Sequence, residues 1–164
     1  MGHSGDFSCC SFNKSNGSSP DVNLFFTQTE GSQSIPFGAG TETTVLTLPV
    51  VTTQNLQPVK LDGFVQMQGS ALGLLALLSY LLAVRLRVRR NGVLLITQMM
   101  RQESAISLGL GLTTITSIPI SLVDNNSVLG TNTYTVTLEF FDRIPNNANS
   151  TITAQTRSLN ALTV

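Results

Sequence analysis

From Val84 the chain alternates strictly: Val84, Leu86 and Val88 are apolar, and Arg85, Arg87 and Arg89 are charged. A period of two places these sets on opposite faces of a strand with one buried side. Asn91-Gly92 follows Arg90. This dipeptide predicts a hairpin, because a type I′ turn needs φ > 0 at both central residues. Pairing across a two-residue loop sets Arg90 opposite Val93, Arg89 opposite Leu94 and Arg87 opposite Ile96. The arginine face therefore carries aliphatic neighbours and is expected to be covered. The cover is expected to be arginine stems, the rest of a sandwich, or another copy of the protein.

The remaining pattern predicts short strands between turns. Val22 to Gln28 is an apolar strand ending at Glu30-Gly31-Ser32, and Ile35-Pro36-Phe37 runs into Gly38-Ala39-Gly40. Thr43 to Val51 is rich in β-branched residues, and Pro49 predicts an edge position or a strand end. Pro58 opens the strand Val59 to Met67. Thr133 to Phe141 alternates, with Tyr134, Val136, Leu138 and Phe140 on the core side. Asp124-Asn125-Asn126, Gly130-Thr131-Asn132 and Pro145 to Asn149 are turn clusters, and a last strand covers about Ser150 to Val164.

Two apolar stretches are less regular. Ala71 to Val84 is dominated by leucine over about fourteen residues, short of the roughly twenty that span a membrane. It reads as a short buried helix, a strand buried on both faces or an interface loop. A loop or turn entering a strand from about Ser79 best combines these readings. Ile106 to Val123 carries no charge. Its Leu108-Gly109-Leu110-Gly111-Leu112 step suits a strand on which another backbone packs closely, and it matches neither glycine-rich nucleotide signature. About eight strands at short spacing, with no long amphipathic helix, predict an all-β jelly-roll sandwich over residues 21–164. Residues 1–20, rich in Ser, Gly and Asn, are expected to be a flexible N-terminal connector.

Composition adds a reason to expect assembly. Charged residues make up 11% of the 164, the net charge is zero and mean hydropathy is +0.21, whereas an average soluble domain carries roughly 25% charge. So sparsely charged a surface is weakly protected against association, which points to burial between copies. Neutrality argues against a nucleic-acid partner. Five of the nine basic residues lie between Arg85 and Arg101, but they are spread over both faces of a hairpin and interleaved with aliphatics.

Catalytic chemistry is not expected. The single histidine, His3, lies outside the domain, so no Ser/His/Asp set can form in it. Acidic residues stand singly, and Glu139 and Asp142 are expected to pair with arginines such as Arg143. His3, Cys9 and Cys10 lack the ligand number and spacing of a metal site. We therefore expect no enzyme, cofactor or metal. Adjacent cysteines rarely bond to each other and the chain has no third, so any stable disulfide of Cys9 or Cys10 must reach another molecule. Met1 to Asp6 has no apolar secretory core.

Val59-Lys60-Leu61-Asp62-Gly63, Leu86 to Val93, Gly130 to Val136 and Thr156 to Ala161 resemble small jelly-roll proteins of Gram-positive spore-formers, the endospore appendage and exosporium group. The Cys9-Cys10 segment is similar to the connector that links appendage pilins. The resemblance implies a self-assembling structural subunit on a cell or spore surface, made without a visible signal peptide. Its partners would be other copies of itself, with a spore-surface anchor or tip protein, and it would have no membrane span. Appendage pilins of the best-known type carry further cysteines in the jelly roll, and this domain has none. Coupling through Phe7, Cys9, Cys10 and Phe12 would then run by strand addition, by phenylalanines filling a groove, or by disulfides to the same cysteines of other copies. The expected subunit interface comprises Arg85, Arg87, Arg89, Leu94, Ile96, Leu108, Leu110 and Leu112. The alternatives are a trimeric binding head, similar to tumour necrosis factor or the globular domain of complement C1q, and a viral or phage structural jelly roll.

Overall fold

The computed structural model describes residues 10–11, 22–72, 78–106, 111–144 and 150–163. Within these the chain forms ten strands: β1 (Cys10–Ser11), β2 (Asn23–Thr29), β3 (Gln33–Ile35), β4 (Thr43–Thr52), β5 (Val59–Leu72), β6 (Leu78–Arg90), β7 (Val93–Ile106), β8 (Gly111–Asp124), β9 (Gly130–Ile144) and β10 (Thr151–Thr163). One sheet has the order β1-β2-β10-β5-β8, with β3 also on β10, and the other has the order β4-β9-β6-β7. Every strand-to-strand ladder is antiparallel.

β2 and β3 share one position in the first sheet. β2 pairs with Arg157 to Thr163 of β10 and β3 with Ile152 to Ala154. Counted this way, and with the two-residue β1 set aside, there are eight strand positions. Those that follow one another in the chain fall in different sheets, except at the β6–β7 hairpin. Such an interleaving buries two faces against each other and is the jelly-roll arrangement.

Alternation builds the core. Tyr134, Val136, Leu138 and Phe140 of β9 are buried, and they meet Leu82, Val84, Leu86 and Val88 of β6 and Leu61, Val65 and Met67 of β5. The leucine-rich run resolves as strand at both described ends. β5 extends to Leu72, and β6 begins at Leu78, close to the expected Ser79; residues 73–77 lie outside the described set. Gly63 is needed because β10 passes close by: a Cβ on it would stand 2.2 Å from the Ser158 carbonyl oxygen.

With β1 set aside, the four outermost strands are β2, β4, β7 and β8. β4 carries Pro49 and β8 carries Pro119, both exposed, while β2 receives β1 on its open side. Proline supplies no N–H to a further strand, which suits it to an edge.

Candidate assembly interface

The Asn91-Gly92 turn forms as its residues dictate, with φ of 48° at Asn91 and 84° at Gly92. Asn91 also ties the hairpin to β9. Its N–H donates to the Thr133 carbonyl at 2.9 Å, and its Oδ1 accepts the Thr133 N–H at 2.8 Å. Arg90 pairs with Val93 and Arg89 with Leu94, as expected. The next pair is Val88 with Ile96, because Leu95 is an extra residue at a bulge. A one-residue insertion exchanges the faces of everything beyond it. Ile96 therefore packs partly buried against the core, and Thr97 takes the place opposite Arg87. The expected Arg87–Ile96 pairing is corrected accordingly.

The outer face of this sheet carries an alternating ladder of charge. Arg85 Nη1 and Arg87 Nη1 lie 2.9 and 2.7 Å from Glu139 Oε2. Arg87 Nη1 also lies 2.7 Å from Glu42 Oε1, and Arg89 holds Glu42 through both terminal nitrogens. Glu139 stands directly opposite Arg85 across the β6–β9 ladder. Glu42 precedes β4, in a segment laid over β9 by the Gly38 N–H on the Phe140 carbonyl and by the Gly40 N–H on Glu139 Oε1, at 2.9 and 2.7 Å. The Arg85 guanidinium stacks 4.3 Å from the Phe141 ring centroid. The face is thus neutralised largely by the chain's own carboxylates, and Glu139 pairs here with Arg85 and Arg87.

Electrostatics hold these carboxylates ionised. The hydrogen bond from Arg89 leads in lowering Glu42 to about 2, helped by Thr137 and by the Arg87 charge. Burial alone would push Glu139 upward. The Gly40 N–H and the two arginines outweigh it, and its pKa is lowered. Groups pinned in one protonation state serve as ties rather than as proton donors or acceptors. Among the described residues, no three His, Cys, Asp or Glu side chains group closely enough to hold a metal, and no helix is long and apolar enough to cross a membrane.

The apolar parts of this face stand at its margins. Leu94 opposite Arg89 and Met99 opposite Arg85 are exposed, as is Val51. Of the other residues expected at an interface, Cys10 lies in β1 and Leu112 in β8, with only their backbones described. Phe7, Cys9, Phe12, Leu108 and Leu110 fall outside the described residues.

Two arginines that reach inward, Arg90 partly buried and Arg157 buried, were not singled out from the sequence. Arg90 reaches from β6 to Asp124 on β8, at 2.9 and 2.7 Å from its two oxygens, and the Tyr134 hydroxyl donates to Oδ2 at 2.9 Å. Burial and the neighbouring carboxylate raise the Tyr134 hydroxyl well above the usual tyrosine range. Arg157 meets four oxygens instead. It donates to the carbonyls of Val45, Gly31 and Gln155 and to Gln33 Oε1 at 2.6–2.9 Å, and burial lowers its pKa. The signal for both was periodicity: Arg90 shares a face with Leu86 and Val88, and Arg157 with Leu159 and Ala161.

Two sheets in this strand order define a jelly-roll β-sandwich protein. No family model matches the chain, and no curated protein matches it. Among solved structures, it is similar to the infectious bursal disease virus VP2 subviral particle, at 11% identity and a TM-score of 0.48, over 92% of this chain and 37% of that one. T=1 particles derived from infectious bursal virus give 14% identity and 0.48, over 92% and 36%. Dimeric latent PorU from Porphyromonas gingivalis gives 11% and 0.39, over 93% and 14%. The chain thus spans little more than a third of the viral proteins it matches.

Proposed function

We propose that this chain is a non-enzymatic structural subunit that self-assembles into a surface fibre or endospore appendage, its N-terminal segment coupling neighbouring copies. The observation that carries this reading is strand addition at β2. Cys10 and Ser11 lie antiparallel against Leu24 and Asn23, on the side of β2 that the rest of the sheet leaves open. An edge that takes up this segment from its own chain presents the same donors and acceptors to a neighbour's segment, and exchange of an identical element is a low-cost route to assembly. Sparse charge supports the reading from composition. In such an assembly Phe7, Cys9, Cys10 and Phe12 lie at the junction, and the hairpin margin with Leu94 lies at a contact between copies.

The test is negative-stain microscopy of the full chain, with and without reductant, beside a variant lacking residues 1–20. Fibres from the full chain, and a folded but unpolymerised variant by circular dichroism and light scattering, are expected. Fibres that form unchanged without the segment would overturn its coupling role. A small oligomer of fixed size at every concentration would favour a discrete trimeric head instead.

A further inference from the structure

At one end of the sandwich, residues 53–58 carry the chain from β4 to β5 and residues 125–129 carry it from β8 to β9. Both connections cross between sheets, and they are tied together. The Leu56 N–H donates to the Ser127 carbonyl at 2.8 Å and the Leu129 N–H to Asn55 Oδ1 at 2.9 Å. The Ser127 hydroxyl donates to the Gln57 carbonyl at 2.6 Å. Asn132 closes the second loop, accepting from the Val128 N–H at 3.1 Å and donating to the Val128 carbonyl at 2.7 Å. Ser127, Gln57 and Asn132 are buried, so the loops stand on a satisfied polar base.

What this base presents outward is apolar. Leu56 is 65% exposed, Leu129 62% and Val128 47%. Leu56 moreover sits at φ 60°, a left-handed conformation that glycine and asparagine adopt readily and that strains a branched side chain. Strain and exposure both disfavour a leucine here in an isolated molecule. A rigid, preordered apolar tip is what association rewards, because little conformational freedom remains to be lost on contact.

We infer that Leu56, Val128 and Leu129 form a platform that seats a second copy of this chain, stacked on this end of the sandwich. Three observations select that occupant. Neither loop contains an ionisable residue, which fits a sparsely charged partner and supplies no cation for a lipid headgroup. The 21 residues before Val22 join the domain at this same end, since Asn23, Thr163, Val59 and Asp124 form one cross-strand row. Val22 and Leu24, at the join, are exposed as well. The copy engaged by the N-terminal segment is therefore brought against the platform.

This inference rests on the self-assembly reading, and sedimentation velocity of the full chain over a concentration series separates the two. In the variant carrying Leu56→Ser, Val128→Ser and Leu129→Ser, association should move to concentrations at least about ten-fold higher. Leu56→Asn should weaken association while raising the melting temperature by about 1–3 °C, by relieving the left-handed leucine. Association of the triple variant at wild-type concentrations overturns the platform and leaves self-assembly standing. A wild-type chain that stays monomeric throughout overturns both. A Leu56→Asn variant that associates normally, or melts no higher, removes the argument from strain.

Discussion

Arg90 on one sheet binds both carboxylate oxygens of Asp124 on the other, with 11% and 2% of the two side chains exposed. The pair closes the sandwich at the end where the hairpin and the crossing loops meet, and it sits beside the buried hydroxyl of Tyr134. Losing one member strands the other charge in the interior. Arg90→Met and Asp124→Asn should each cost about 3–5 kcal/mol. The double variant should lose clearly less than the sum, as a double-mutant cycle in urea would show. Strict additivity would mean that the two groups do not interact.

The ladder on the outer face predicts acid sensitivity. Glu42 titrates at 4.5 in the unfolded chain and at about 2 when folded. The folded protein therefore keeps a charge that the unfolded chain gives up. The associated stability is complete above the unfolded value and disappears as pH falls through the folded one. Glu139, whose pKa is also lowered, acts in the same direction. Allowing for solvent screening, Glu42 contributes about 1–2 kcal/mol. Urea midpoints between about pH 6 and pH 2 should fall less steeply for Glu42→Gln than for wild type.

Two glycines should respond very differently to alanine. At Gly63 a Cβ meets backbone at 2.2 Å, whereas at Gly92 nothing lies within 4 Å and only the φ of 84° is unfavourable. Gly63→Ala should cost about 3 kcal/mol or more, and Gly92→Ala about 1 kcal/mol. Thermal melts of the two variants, at about 2–4 °C per kcal/mol in a chain of this size, check the ranking.

Arg157 is held by four neutral oxygens, one of them the Val45 carbonyl on the opposite sheet. Arg157→Met should cost about 2–4 kcal/mol, because the buried Val45 carbonyl and three part-buried acceptors lose their donor. Arg157→Lys should recover only part of this, having no planar fork to span the acceptors. Denaturant unfolding of both variants would show it.

The fold was legible where one rule acted alone. The Asn91-Gly92 turn, the core side of β9 and the edge placement of Pro49 all follow from backbone sterics and a period of two. Reading failed where a bulge intervened. Leu95 is an ordinary aliphatic residue whose extra place in β7 leaves no mark in composition, yet it moves Ile96 to the core. The ladder was half legible: the outward arginines could be read from alternation, but Glu139 and Glu42 meet them only because β9 lies beside β6 and residues 36–42 fold across it. Strand order of this kind is fixed by long-range pairing, which a local pattern does not encode. Arg90 and Arg157 were within reach of the alternation argument, since each falls on an apolar face.

The prolines of β4 and β8 bear on a hazard rather than on assembly. A chain with so little charge has weak electrostatic defence against the indiscriminate stacking of sheets that produces amyloid. Pro49 and Pro119 each interrupt the row of donors on an outermost strand, and β1 occupies the open side of β2. Protection that depends on geometry and not on repulsion is insensitive to salt. Solubility of this protein should therefore vary little with ionic strength, and substituting the two prolines by threonine should expose it to fibrillar aggregation detectable by thioflavin fluorescence.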